Sequence, residues 1–243
     1  SCGIKKIDLS SPIGIHLEIE NAQSLAAWYV SPPSIGPHKT ADFVGSISEG
    51  AAVNFNDIAF NPHAHGTHTE CVGHILEGDF SIMQSMSQFI FEALVLSIAP
   101  KLMGEDLVID RDQISGAITG TTVPEVLVIR TLPNEDGKKL KNYSHTNPAY
   151  LSEAAAIFIR ELGVQHLVVD LPSIDKEEDG GALLAHKAFW NVGGALRIQA
   201  TITEFVYVPS KITDGPYALQ FGLAPFVNDA TPSSVFLYAF ENS

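Results

Sequence analysis

Cysteine is nearly missing from this chain: of 243 residues only Cys2 and Cys71 carry a thiol. Such a pair makes no disulfide framework, so stability must come from a packed core, and a reducing, cytoplasmic compartment is the expected location. Basic residues are also scarce. Lys and Arg total 14 against 28 Asp and Glu, for a formal net charge of −14. Phosphate backbones are gripped by clustered Lys and Arg, so the balance argues against nucleic acid, and against an anionic membrane surface. The acidic excess reads instead as a solubility feature. No run of about 18 apolar residues occurs, which argues against a membrane-spanning helix. The start, Ser1-Cys2-Gly3-Ile4, lacks a basic segment followed by an apolar stretch, so no signal peptide is expected there. Its serine in place of methionine points to a trimmed or processed chain. Internal repeats and low-complexity tracts are absent as well.

What is present is core material. Hydrophobic residues make up 45% and charged residues 17%, a globular composition. Residues 1–243 are expected to form a single mixed α/β domain, since no linker divides them. Ile7-Asp8-Leu9-Ser10-Ser11-Pro12 reads as a strand end entering a turn, and residues 30–37 hold too much Pro and Gly for regular structure. Residues 80–92 space Ile82, Met83, Met86, Phe89 and Ile90 as one helix face. Short apolar runs at 93–98, 126–129 and 166–170 read as buried strands, and 201–208 as another. Residues 148–163 carry helix signals, with Asn147 as cap, Pro148 in the first turn and Gly163 as stop. The charged stretch 174–181 reads as a loop.

The chemistry concentrates between residues 61 and 74, Asn-Pro-His-Ala-His-Gly-Thr-His-Thr-Glu-Cys-Val-Gly-His. This span holds His63, His65, His68 and His74, four of the chain's nine histidines, beside Glu70. A zinc-protease helix needs a different spacing, and Gly66, Thr67 and Thr69 disfavour helix. In an extended chain His68, Glu70, Val72 and His74 share a face. His63 and His65 have the opposite parity, which a bulge at Gly66 would reset for one of them. Imidazoles converging on a carboxylate suit zinc, manganese or iron better than calcium. Cys71 in such a place is either a nucleophile, a soft ligand or, as most buried thiols are, a small apolar filler.

A catalytic metal needs ligands from elsewhere too. Glu204 interrupts an apolar β run, where a carboxylate must be paired or metal-bound. His186 follows the acidic loop. These are the candidates for a second ligand pair. Of the other histidines, His166 opens an apolar strand and reads as structural, His145 as solvated, His38 as a flank of a pocket, and His16 has no distinguishing neighbour. Trp28, Tyr29 and Phe60 are candidate pocket walls, or equally core residues.

Residues 63–74 resemble the signature of the cyclase family of metal-dependent hydrolases, which includes bacterial kynurenine formamidases and isatin hydrolases; its pattern is His-x-Gly-Thr-His-x-Asp-x-Pro-x-His. Ile7–Pro12, Val128-Ile129-Arg130-Thr131 and Val169–Asp175 resemble further family segments. The resemblance implies that His68 and Glu70 are metal ligands, Glu70 standing for an aspartate that bridges two ions. It further implies that His74 is an acid–base residue and that His186 and Glu204 hold the second ion. The family's first histidine falls on Ala64, so His63, with a residue looped out, takes its place here, and His65 is kept as an additional ligand or substrate contact. Glu for Asp at 70 and Val72 for the family proline leave metal number and identity, one or two ions of zinc or manganese, and the substrate open.

The implied fold is α/β of the swivelling β/β/α type, often a homodimer or homotetramer with exchanged loops. The implied activity is hydrolysis of an amide, formamide, lactam or ester bond of a small molecule, arylformamidase-like, by metal-activated water. Two alternatives stand beside it: a non-hydrolytic cyclase or dehydratase at the same site, and a small-ligand-binding protein with a decayed metal site.

Overall fold

The apolar runs become the staves of a barrel. The computed structural model describes residues 5–21, 25–120 and 123–241. Its ring strands are β1 (His68–Glu70), β2 (Ile90–Ile98), β3 (Val126–Thr131), β4 (His166–Val169), β5 (Thr201–Glu204), β6 (Gly215–Leu223) and β7 (Ala230–Tyr238). Neighbours run β7-β6-β2-β3-β4-β5-β1, and β1 closes the ring back onto β7. The pairs β2–β3, β3–β4 and β4–β5 are parallel and the rest antiparallel, so the sheet is mixed and the class α/β, as expected.

The parallel strands read as unbroken apolar runs because both their faces are covered. Val126, Val128 and Val168 point into the barrel with Ala93, Val95 and Leu219. Leu127, Ile129, Leu167 and Val169 point outward against α2 (Glu153–Glu161) and α3 (Leu184–Trp190), where Ile159, Phe189 and Trp190 are fully buried. A third helix, α1 (Arg111–Ala117), carries a complete capping box between Asp110 and Gln113. Each fully buried Val, Leu or Ile contributes about 1.5–3 kcal/mol, which makes this double layer the main stabiliser. Outside the barrel, Ser34–Pro37 pairs with Asn56–Ala59 in a separate two-stranded arm. Among the described residues no helix is long and apolar enough to cross a membrane.

Several sequence expectations give way to tertiary pairing. The helix expected over 80–92 shrinks to Ile82–Ser85, and from Ile90 the chain is already β2. Ile90, Phe91 and Glu92 are taken up by the ladder with Gln220, Leu219 and Ala218, which outweighs the helical spacing. The helix expected from 148 starts only at Glu153, capped by the Ser152 hydroxyl, because Tyr150–Leu151 pairs with Val108 and Ile109. Asn147 is no cap; it holds φ 43° while its side chain donates to Asp106. Gly163 does end the helix, at φ 85°. The strand over 201–208 stops at Glu204, since Phe205 turns to φ 58°. Residues 34–37, expected to be irregular, form one strand of the arm. Cys2 lies outside the described residues.

Candidate metal centre

The histidine segment crosses the barrel rim as β1. Gly66 resets the chain just before it, at φ 91°, where an added Cβ would lie 2.9 Å from Ile19 Cγ1 and 3.1 Å from the Leu17 carbonyl. Thr67 then fastens the segment: its hydroxyl accepts from the Leu17 N–H at 2.7 Å and donates to the Phe205 carbonyl. In the ladder His68 lies opposite Glu204, and Glu70 opposite Ile202 on one side and Ala230 on the other. Extended pairing ends at Glu70; Val72–His74 is a 3-10 turn that swings His74 back over Glu70 instead of carrying the strand on.

Glu70 is the hub and is fully buried. Its Oε2 lies 3.1 Å from His63 Nδ1 and 3.8 Å from His74 Nε2. Its Oε1 lies 3.1 Å from His186 Nε2. Glu204, also buried, reaches His68 Nε2 at 3.4 Å and His186 Nε2 at 3.9 Å, while its Oε1 accepts from the Ile174 N–H. Two ligand-like triads result, His63-Glu70-His74 and His68-Glu70-Glu204, with Glu70 in both and the donor atoms of each within 4.8 Å of one another. The structure thus gathers His63, His68, Glu70, His74, His186 and Glu204 at one point.

His65 is not gathered with them. Its buried ring turns away, Nδ1 accepting from the Asn61 N–H at 3.0 Å. His38 flanks no cavity at this site but pairs with Asp57 at the exposed arm. His166 is a buried core residue bonded to the Thr201 hydroxyl at 2.8 Å, His16 holds the Val235 backbone, and His145 packs against Tyr29 with the rings tilted at 45°. Cys71 is fully buried, and burial pushes its thiol up, which fits the apolar filler.

Two carboxylates that sequence reasoning did not place in the site stand behind the ring. Asp175 Oδ2 meets His186 Nδ1 at 2.6 Å, and the same carboxylate caps α3 by accepting from the Ala185 and His186 N–H groups. Asp229 Oδ2 meets His63 Nε2 at 2.8 Å. Asp175 had a signal, its place in the Asp170–Asp175 segment. Asp229 had none: it precedes β7, far along the chain, and only barrel closure brings it to β1.

The outer contacts settle which imidazole nitrogen faces inward. His68 Nδ1 sits 3.2 Å from the Gly66 carbonyl, which can only accept, so the proton is there and Nε2 is bare. That Nε2 and Glu70 Oε2 are buried with no hydrogen-bond partner. Outer oxygens on one nitrogen and a bare nitrogen toward carboxylates is the arrangement of metal-ligating histidines. Burial opposes protonation of His63 and His186, yet Asp229 with Glu70, and Asp175 with Glu70, push both up to about 10. Glu70 is held well below the usual carboxylate range against its burial by His74, His186 and His63, and Asp229 is held low by His63 and His74. The carboxylates around these buried imidazoles draw positive charge to the site, whether as protons or as a metal ion. The donor set of imidazole nitrogens and carboxylate oxygens fits a divalent metal.

A cavity of about 350 Å³ opens over this ring, lined by Trp28, Asn61, His63, His74, Leu183 and His186 among others. Of the aromatic candidates only Trp28 is on its wall. The Tyr29 hydroxyl donates to Glu177, and Phe60 packs near Phe226. Trp28, Leu183 and Phe205 all hold positive φ, so backbone strain gathers around the cavity.

Residues 7–176 match the family described as "Putative cyclase". The chain belongs to the cyclase family. Among curated proteins none matches it. Among solved structures it is similar to a potential metal-dependent hydrolase with cyclase activity, at 16% identity and TM-score 0.67, over 96% of this chain and 99% of that one. It is also similar to an isatin hydrolase bound to the product analogue thioisatinate, at 14% identity and TM-score 0.66, over 93% and 91%. Isatin hydrolase A from Labrenzia aggregata, bound to benzyl benzoate, gives 12% identity and TM-score 0.67, over 95% and 94%. At these identities the likeness is one of fold, the cyclase-like α/β fold of metal-dependent hydrolases.

Proposed function

We propose that this cyclase-family chain is a metal-dependent hydrolase that opens an amide, formamide, lactam or ester bond of a small molecule, in the manner of an arylformamidase. The observation that carries this reading is the pair of buried triads sharing Glu70 at the floor of a small cavity. His63, His68, Glu70, His186 and Glu204 would hold one or two ions, zinc or manganese by their donor chemistry. A bound divalent ion supplies Lewis acidity and lowers the pKa of water toward about 7, giving a nucleophile at neutral pH.

The chain's own residues supply the rest. His74, a third exposed at the cavity wall, is placed to pass a proton from its Nε2 to the leaving nitrogen or oxygen. Trp28 and Leu183 offer apolar walls for a flat substrate, and the Trp28 indole N–H is spent on the His63 carbonyl at 3.1 Å, which fixes the ring. Burial of Glu70, His68 and Glu204 keeps bulk water from the ring floor. Cytoplasmic residence fits the buried free Cys71. A homodimer or homotetramer fits the arm, which exposes Phe43, Ile47, Val53, Phe55 and Ile58 to solvent, more apolar surface than a monomer needs.

The test is the metal content of the purified chain beside His68→Ala and Glu204→Ala, followed by turnover of a formamide and lactam panel. Near two equivalents, reduced in both variants, with turnover of one panel member, is the expected result. Metal without turnover of any hydrolysable compound favours the cyclase or dehydratase alternative; no metal after reconstitution leaves the ligand-binding one.

A further inference from the structure

His63 stands one position earlier than the family spacing requires, yet its ring reaches Glu70. Three groups hold it there. Its N–H donates to Asn61 Oδ1 at 2.9 Å, its carbonyl accepts from the Trp28 indole at 3.1 Å, and its Nε2 meets Asp229 Oδ2 at 2.8 Å. Asp229 is itself anchored: its carbonyl accepts from the Cys71 N–H at 2.9 Å, and the next residue, Ala230, pairs with Glu70 in the ladder.

The geometry points to Asp229 as the positioning residue that turns His63 into a cation ligand. Both ring nitrogens of His63 face carboxylates, Nε2 the Asp229 Oδ2 at 2.8 Å and Nδ1 the Glu70 Oε2 at 3.1 Å; with a cation between Nδ1 and Glu70, the ring keeps its one proton on Nε2, where Asp229 accepts it. A bare nitrogen facing a carboxylate oxygen is repulsive until a cation lies between them. With the opposite tautomer, Nδ1–H would simply donate to Glu70 and block that place. Asp229 Oδ2 also lies 3.6 Å from His74 Nδ1, beyond hydrogen-bond reach, and the His63 and His74 rings stack at 4.2 Å. The device replaces spacing in sequence: a carboxylate from the far end of the chain recruits a histidine that the signature would leave out.

The inference rests on the metal reading above, and the test separates the two. Full-length chain is loaded with zinc and titrated with a chromophoric chelator, for wild type, Asp229→Asn, Asp229→Glu and His63→Ala. Outer partners of metal-bound histidines are worth about 10–100-fold in affinity. One zinc equivalent should weaken by that factor in Asp229→Asn and vanish in His63→Ala, while Asp229→Glu, still an acceptor, recovers most of the loss. The ¹⁵N imidazole spectrum of the zinc-loaded wild type should show the His63 proton on Nε2, a readout that needs no variant to fold. A proton on Nδ1, or an Asp229→Asn chain that holds both equivalents as tightly as wild type, overturns the inference alone. A wild type that takes up no zinc overturns the metal reading and the inference with it.

Discussion

Glu70→Gln removes one charge and nearly nothing else. The side chain keeps its shape in a fully buried site, but the two triads lose the anion they share. The donor atoms of each triad lie within 4.8 Å of one another, so an ion among them sits closer than that to Glu70. A unit charge pair at about 4 Å and an effective dielectric of about 20 is worth about 4 kcal/mol. Each ion therefore loses at least about 4 kcal/mol, roughly a thousandfold in dissociation constant. His68→Ala, by contrast, touches one triad only. Competition with a chromophoric chelator reads both losses on one scale. A Glu70→Gln chain that retains two equivalents within threefold of wild type would show that Glu70 is no shared ligand, and the hub would have to be abandoned.

His74→Ala should lower kcat by about 10²–10⁴ while zinc content is unchanged, as loss of a general acid does; a lost equivalent would make His74 a ligand instead. His166, buried beneath Phe91 and Phe221, is pushed down from 6.5 to about 4 by desolvation and by Arg197. The unfolded chain then binds the proton more readily between those values, so stability is full above pH 6.5 and falls as pH drops toward 4. Across that window wild type loses about 3 kcal/mol that His166→Asn does not, and urea titrations of both at pH 7.5 and 4.5 should show the gap closing; parallel pH dependences would refute it. Gly66→Ala places a side chain at positive φ against Ile19 and Leu17 and should cost about 1–3 kcal/mol, seen as a lowered Tm.

The buried strands were legible in advance because a strand covered on both faces is written as an unbroken apolar run, as Val126–Ile129 and Leu167–Val169 are. The family, too, was carried by local sequence, in Gly66-Thr67-His68 and the residues around it. Glu204 declared itself because a carboxylate within an apolar strand has to be compensated, and it lies buried between His68 and His186. The placing of Phe89 and Ile90 was not legible: helical spacing and strand membership use the same residues, and the partner strand that decides between them starts at Gly215.

The sequence by itself thus determined the class of fold, the stretch that holds the clustered histidines and most of the side chains that meet there, since each depends on residue type and near-neighbour spacing. Only the tertiary structure sets the two rings apart, His63 beside Glu70 and His65 away from it. Both sit within three residues of Gly66, and their spacing favours neither. One ring turned onto Asn61, and the other was drawn to Glu70 by Asp229, a residue 166 positions away in sequence that barrel closure sets beside β1. Which nitrogen of an imidazole faces inward depends on what stands behind it, and what stands behind it is fixed by how distant strands pair.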